Sequence, residues 1–63
     1  MPTIQVNLLV GRTTEQKRSL VANITEAVVK SLGVKPDVVR IILQEMATDD
    51  YAIGGVLTSD KKE

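Results

Sequence analysis

The strongest constraint on this fold is that the chain is short and lacks the disulfides and metal sites that usually stabilise small domains. It has 63 residues and neither cysteine nor histidine, so it can form no disulfide and no zinc site with thiolate or imidazole ligands. A chain of this size buries only about 60% of the surface that it exposes when unfolded, and small scaffolds usually need a staple. Oligomerisation is the remaining means of stabilisation, and we expect that the isolated chain is not the stable unit.

Composition excludes several classes of function. Basic and acidic side chains number eight each, so the formal net charge is zero, which argues against a nucleic-acid-binding surface. The apolar runs are only a few residues long, whereas a membrane span needs about 20. The first residues, MPTIQVN, lack the basic segment that opens a signal peptide, and the absence of cysteine suits a reducing compartment. We therefore expect a cytoplasmic protein without nucleic-acid or membrane partners.

Hydrophobic periodicity predicts a strand followed by a helix. Residues 3–9 alternate between polar and apolar side chains, which predicts a strand with one buried face. In residues 13–33 the apolar side chains recur at every third or fourth position, as on the buried side of a helix. Thr13 and Gln16 have the spacing of a capping box, and Gly33 suits the left-handed residue that ends a helix. Lys17 and Arg18 are expected to be exposed charges on this helix.

A second strand is predicted at residues 38–46. The segment VVRIILQEM is rich in β-branched side chains and more continuously apolar than the first strand, as in a central strand that is covered on both faces. Residues 48–50 predict a turn, and Gly54-Gly55 between short apolar pieces predicts a small hairpin. The charged residues 60–63 are expected to fray.

This order of elements predicts an α/β fold. A strand, a helix and a strand in succession form a right-handed β-α-β crossover with parallel strands. We therefore predict one domain over residues 1–63: a single β-α-β unit and a short C-terminal β-hairpin. Parallel sheets need cover on both faces, and one helix covers only one. The topology thus leads to the same expectation as the length, which is an oligomer of several copies.

Three basic groups are the candidates for chemistry: the α-amino group, Arg12 and Arg40. An α-amino group titrates nearer neutrality than the other basic groups, with a pKa of roughly 7.7–8.0 in reference peptides. A prolyl nitrogen at the amino terminus is a secondary amine in a rigid ring, so Pro2 without Met1 would be a well-positioned base if it begins a strand that ends in a pocket. Two guanidiniums nearby would lower the pKa of this amine and would hold carboxylate or enolate oxygens in bidentate fashion.

Several short motifs occur in a characteristic order along the chain. They are Pro2, Gly11-Arg12 before a capped helix, Val39-Arg40-Ile41-Ile42 in the second strand, Glu45-Met46, and Ile53-Gly54-Gly55. Together they resemble the 4-oxalocrotonate tautomerase family over nearly the whole chain. The resemblance implies that Met1 is removed and that Pro2 becomes the amino terminus. It implies that the uncharged Pro2 nitrogen moves a proton between the enol or dienol and keto forms of a small unsaturated 2-hydroxy acid, such as 2-hydroxymuconate, without a cofactor or a metal.

The same resemblance implies roles for further residues. Arg12 matches the family arginine that holds the distal carboxylate of the substrate. Arg40 matches the arginine that binds near the 2-hydroxy or 2-keto end and stabilises developing charge. Tyr51 falls where the family commonly has phenylalanine, an apolar wall that keeps the pKa of the base low, and Leu9 and Ile53 are predicted as further apolar substrate contacts. The family assembles as a trimer of dimers with sites built from several subunits, which implies a homohexamer here.

Two other functions stay open at this point. Dehalogenases of the same superfamily, which hydrate unsaturated acids, resemble this chain in Pro2 and Arg12. They use a further arginine and an acid at positions that match Leu9 and Ile53, which are apolar here. In a non-enzymatic oligomeric interaction module, Pro2 would only begin a strand where no N–H donor is needed.

The interpretation of some individual residues is also open. Arg40 lies within an apolar strand, where a guanidinium needs water, a carboxylate or a ligand, and its partner could be Glu45 or another acid across a subunit interface. Tyr51 could fill an interface, and its hydroxyl could donate to a substrate oxygen. Asp49 and Asp50 place negative charge just before Tyr51, where it would disfavour a dianionic substrate if the carboxylates lie close.

Overall fold

A two-stranded parallel sheet and one helix form the main body of the protein. The computed structural model describes residues 1–61. In it, β1 (Thr3–Leu9) pairs with β2 (Arg40–Met46), and α1 (Thr14–Leu32) connects the two strands. The register joins Thr3 to Arg40 at one end and Leu9 to Met46 at the other. The predicted β-α-β unit with parallel strands is confirmed.

Helix α1 begins and ends where local hydrogen bonding dictates. The Thr13 hydroxyl accepts a hydrogen bond from the Gln16 N–H at 3.1 Å, and the Gln16 side chain accepts one from the Thr13 N–H at 2.9 Å. These two bonds complete the predicted capping box. At the other end Gly33 adopts φ 69° and donates its N–H to the Val29 carbonyl. A left-handed residue at this position costs glycine little, because it has no Cβ.

The helix covers one face of the sheet and leaves the other face open. The partly buried apolar side chains of α1 are Leu20, Val21, Ile24, Val28 and Val29, and those of the covered sheet face are Ile4, Val6, Leu8, Ile41 and Leu43. The open face carries Thr3, Gln5 and Asn7 of β1 with Arg40, Ile42 and Gln44 of β2. No residue among 1–61 is fully buried. A single chain therefore has an apolar layer between helix and sheet but no closed core.

The second strand begins later than the sequence pattern predicts. Residues Pro36–Val38 form a short 3-10 helix, and β2 starts only at Arg40. Pro36 fixes its own φ for such a turn, and the Val39 N–H donates to the Pro36 carbonyl at 3.1 Å. In the single chain, β2 has β1 as its one neighbouring strand, and Ile42 on the open face is 48% exposed. The cover expected on both faces of this strand is therefore incomplete in one chain.

The C-terminal segment forms the predicted hairpin. After a 3-10 helix at Thr48–Asp50, β3 (Ala52–Ile53) pairs antiparallel with β4 (Val56–Leu57). Gly54 and Gly55 connect them with φ angles of 62° and 84°, and two positive φ values in succession are the requirement of a tight hairpin turn of type I′.

The described residues that follow β4 form no further strand. Residues Thr58–Asp60 form another 3-10 helix, and the fraying of residues 60–63 stays a prediction. The part of that prediction that concerns Lys62 and Glu63 lies outside the described residues.

The described chain is elongated and displays many apolar side chains to solvent. Its principal dimensions are 43 × 24 × 15 Å. Within residues 1–61, no helix combines the length and apolar character that crossing a membrane requires. The exposed large apolar residues are Met1, Val10, Leu32, Ile42, Tyr51, Ile53, Val56 and Leu57. Apolar exposure on this scale is typical of a surface that another chain covers.

Replacing Ile42 with aspartate tests this expectation. If another copy covers the open sheet face, the new carboxylate would be buried there without a partner, which is strongly unfavourable. We expect wild-type protein to sediment as an oligomer at micromolar concentration and Ile42→Asp protein to dissociate or unfold. Asn23→Asp, which adds the same charge at an exposed position of α1, is the control and should leave the assembly unchanged. A folded wild-type monomer at micromolar concentration would contradict the expectation.

Candidate active site

Pro2 and Arg40 lie side by side at the edge of the sheet where both strands begin. The Arg40 N–H donates to the Pro2 carbonyl at 3.0 Å, and the next residue, Thr3, pairs with Arg40 in the sheet register. The Arg40 guanidinium donates through Nη1 to the Met1 sulfur at 3.5 Å and to the Val38 carbonyl at 3.3 Å. This guanidinium therefore lies against the residue whose removal would free the Pro2 nitrogen.

Arg12 and Leu9 lie at the opposite edge of the sheet. Strand β1 contains seven residues, and at about 3.3 Å per residue its two ends are roughly 20 Å apart. Arg12 follows Leu9 by three residues and directly precedes the N-cap of α1, so it stays at the edge where the strands end. This separation exceeds the reach of an arginine side chain. Pro2 and Arg12 of one chain thus cannot contact the same small molecule.

A shallow concavity of about 260 Å³ lies beside Arg12. It is lined by Leu8, Arg12, Gln16, Lys17 and Leu20, so apolar and cationic side chains both contribute to its wall. Among residues 1–61, Arg12 forms no salt bridge with a carboxylate. Its guanidinium is exposed and is available to an anionic ligand.

Glu45 pairs with Lys17, and within one chain it does not pair with Arg40. Lys17 Nζ lies 2.6 Å from Glu45 Oε2. The register places Glu45 beside Leu8 on the face that α1 covers, whereas Arg40 belongs to the open face at the other end of β2. Arg40 and Glu45 of one chain are therefore not paired, and the pairing of Arg40 with Glu45 or another acid across a subunit interface stays a prediction.

Lys17 was the functional candidate that the sequence interpretation missed. It was expected to be an exposed helix charge, yet its side chain is only 29% exposed. Two signals in the sequence point to this position. Lys17 continues the apolar stripe of Leu20, Val21 and Ile24 by three, four and seven residues, and Glu45 has the strand parity of the covered face.

Tyr51 and Ile53 belong to the segment that follows the carboxyl end of β2. The Thr58 N–H donates to the Tyr51 carbonyl at 2.8 Å, and this bond ties the far end of the hairpin back to Tyr51. Both apolar side chains are exposed. Asp49 and Asp50 are exposed in the preceding 3-10 helix. In the described part of the chain they form no salt bridge and no cluster that could hold a metal ion.

Comparison with known proteins identifies the class to which this fold and these residues belong. A family model described as "Tautomerase enzyme" matches residues 2–61. The 2-hydroxymuconate tautomerase of Bacillus subtilis is 43% identical over 60 residues, which are 95% of this chain and 97% of that protein. The chain belongs to the tautomerase family, and the prediction of an isomerase is confirmed.

Solved structures of relatives share the fold. A structure of the 4-oxalocrotonate tautomerase isozymes from Methylibium petroleiphilum superposes with a TM-score of 0.89 and 52% identity, covering 92% of this chain and 91% of that chain. A heterohexamer 4-oxalocrotonate tautomerase from Chloroflexus aurantiacus gives a TM-score of 0.92 at 29% identity, covering 98% and 100%. The resemblance to the 4-oxalocrotonate tautomerase family is therefore confirmed. The roles of the individual residues stay predictions.

Mixed oligomers test whether Pro2 and Arg12 of different chains form one site. If each site needs Pro2 of one chain and Arg12 of another, oligomers of Pro2→Ala or of Arg12→Ala alone would contain no complete site. In a random equal mixture each of the two residues is intact with a probability of one half, so about one quarter of the sites would be complete. We expect co-refolding of the two variants to restore about a quarter of the wild-type activity towards a diacid substrate below its KM. Each variant refolded alone is the control. Mixed oligomers without any gain in activity would contradict a shared site.

Proposed function

We propose that this enzyme interconverts the enol or dienol and keto forms of a small unsaturated 2-hydroxy acid such as 2-hydroxymuconate. The general base would be the nitrogen of Pro2 after removal of Met1. The observation that carries the proposal is the hydrogen bond from the Arg40 N–H to the Pro2 carbonyl at 3.0 Å, which places the two residues side by side where the strands begin. The 2-hydroxymuconate tautomerase relative in Bacillus subtilis supports the choice of substrate class.

The Pro2 nitrogen suits the role of a base in this setting. The bond from the Arg40 N–H to the Pro2 carbonyl holds the residue at the head of β1, and its ring removes the rotations of an ordinary amino terminus. The nearby guanidinium disfavours a second positive charge, so it favours the neutral amine that can accept a proton. Catalysis by proton transfer is most efficient when the base titrates near the working pH.

The reaction needs one proton and no net change in oxidation state. The neutral amine accepts the proton of the enol hydroxyl, and the electron pair of the O–H bond forms the carbonyl while the double bond shifts along the carbon chain. The protonated amine then returns its proton to carbon, which gives the unsaturated ketone and restores the neutral base. Arg40 would stabilise the negative charge on the oxygen between these steps.

Chains would have to assemble to complete such a site. We propose a homohexamer in which Arg12 and Leu9 of a second chain meet Pro2 and Arg40 of the first. The roughly 20 Å length of β1 and the lack of a fully buried residue in the described chain both support this arrangement. The Chloroflexus aurantiacus relative is a heterohexamer. We propose the cytoplasm as its location, since a cysteine-free chain suits a reducing compartment.

The substrate walls and the charges around them would decide which acid is used. Tyr51 and Ile53 are exposed in the single chain, so they are free to face a substrate in the assembly. Leu9 and Ile53 offer no group that could activate water, which leaves hydration of haloacids without support. Tautomerisation needs only the base, the arginines and an apolar wall.

Substitution of Pro2 by alanine tests the base. We expect the kcat/KM for a 2-hydroxymuconate-type dienol to fall by up to about 100-fold, the lower end of the range that a general base contributes, because a primary amine outside a ring replaces the ring nitrogen and is a less rigidly oriented base. The decay of the dienol absorbance measures this rate. Intact mass spectrometry is the control, since wild-type protein and variant should both lack Met1. Full activity of protein that retains Met1 would contradict the mechanism.

Substitution of Arg40 and of Arg12 is expected to have different kinetic effects. Arg40→Ala should lower kcat by about tenfold or more, because charge on the substrate oxygen loses its partner. Arg12→Ala should mainly raise KM for a diacid and have little effect on a monoacid such as phenylenolpyruvate, because only a diacid has the distal carboxylate. Arg18→Ala, which removes an exposed arginine of α1, is the control. Identical kinetics for all three variants and wild type would overturn the assignment.

A further inference from the structure

Two ion pairs occur among the described residues, and they differ in kind. Lys30 and Glu26 lie 3.5 Å apart on the open surface of α1, with side chains 74% and 63% exposed. Lys17 and Glu45 lie 2.6 Å apart and connect α1 to β2, with side chains 29% and 35% exposed. The second pair is closer and better shielded from water, so its charges are screened less by solvent and salt.

The position of Glu45 suggests that its negative charge affects how Arg12 binds an anionic ligand. Glu45 pairs in register with Leu8, and Leu8 and Lys17 line the concavity beside Arg12. A bare carboxylate at this place would repel an anionic substrate and would compete for the Arg12 guanidinium. With Lys17 bound to it, the two charges largely cancel for a ligand at the mouth of the concavity.

We propose that Lys17 masks Glu45 and thereby keeps Arg12 available to the distal carboxylate of the substrate. This inference rests on the proposed function, since it assigns Arg12 to a substrate carboxylate. Lys17 is then a positioning residue that acts through Arg12. The same pair ties the first turns of α1, which Arg12 precedes, to the end of β2, which Tyr51 follows.

A masking role has a kinetic signature that a structural pair lacks. Lys17→Met leaves Glu45 unmasked, so KM for a diacid should rise about fivefold, the upper effect of an ion pair of this exposure, while kcat stays within about twofold. Glu45→Gln removes the acid, so KM should stay at the wild-type value or fall. The double variant Lys17→Met/Glu45→Gln lacks the charge that needed masking, and its KM should return to within about twofold of wild type.

Matched controls come from the exposed pair and from the substrate. Lys30→Met and Glu26→Gln make the same chemical changes on the open surface of α1 and should leave KM unchanged. With a monoacid substrate, Lys17→Met should change KM less than with a diacid. Raising the salt concentration should reduce the effect of Lys17→Met on the diacid, because salt screens the exposed carboxylate.

A purely structural pair would give a different pattern. Lys17→Met and Glu45→Gln would then raise KM and lower the melting temperature equally, and the double variant would be no better than either. That result, or an unchanged KM in an active Lys17→Met enzyme, would overturn the inference alone. Wild-type protein without activity on any enol acid would instead overturn the proposed function.

Discussion

The parallel pairing of β1 with β2 decides where every candidate residue of this small protein lies. Parallel strands place both amino ends at one edge and both carboxyl ends at the other, so Pro2 meets Arg40 at the first edge. The segments that carry Arg12 and Tyr51 leave from the second edge. Seven register pairs keep these edges apart by about the length of the strands. A site that uses both edges has to be formed between chains.

The same constraint explains why stability and function would depend on assembly together. One helix can cover only one face of a two-stranded sheet, and Ile42 on the other face is exposed. In a chain without cysteine or histidine, no disulfide or zinc site can compensate for the missing core. Contact between copies would bury the open face, and in the proposed homohexamer contact between copies also brings Arg12 of one chain to Pro2 of another. Stability and the proposed active site would therefore both depend on assembly.

The charged side chains of the described chain are arranged so that Arg12 and Arg40 have no carboxylate partner. The covered face of the sheet is apolar except for Glu45, and this carboxylate forms a salt bridge with Lys17. Arg12 consequently has no carboxylate partner within salt-bridge distance in the described chain. Arg40 likewise donates to neutral atoms, the sulfur of Met1 and the carbonyl of Val38. Both arginines are thus without a carboxylate partner in the described chain, as the proposed binding of an anionic substrate requires.

The elements that a local pattern of residues specifies can be predicted from the sequence alone. The alternation of β1, the Thr13–Gln16 capping box and the Gly54-Gly55 turn depend on residues a few positions apart, so their patterns sufficed. Pro2 and Arg40 could be predicted by resemblance, but they are 38 positions apart in the chain, and only the register of β1 on β2 brings them together. The later start of β2, the Lys17–Glu45 pair and the distance from Pro2 to Arg12 were likewise decided by the tertiary structure. These features depend on how the helix packs on the sheet, which no short sequence pattern specifies.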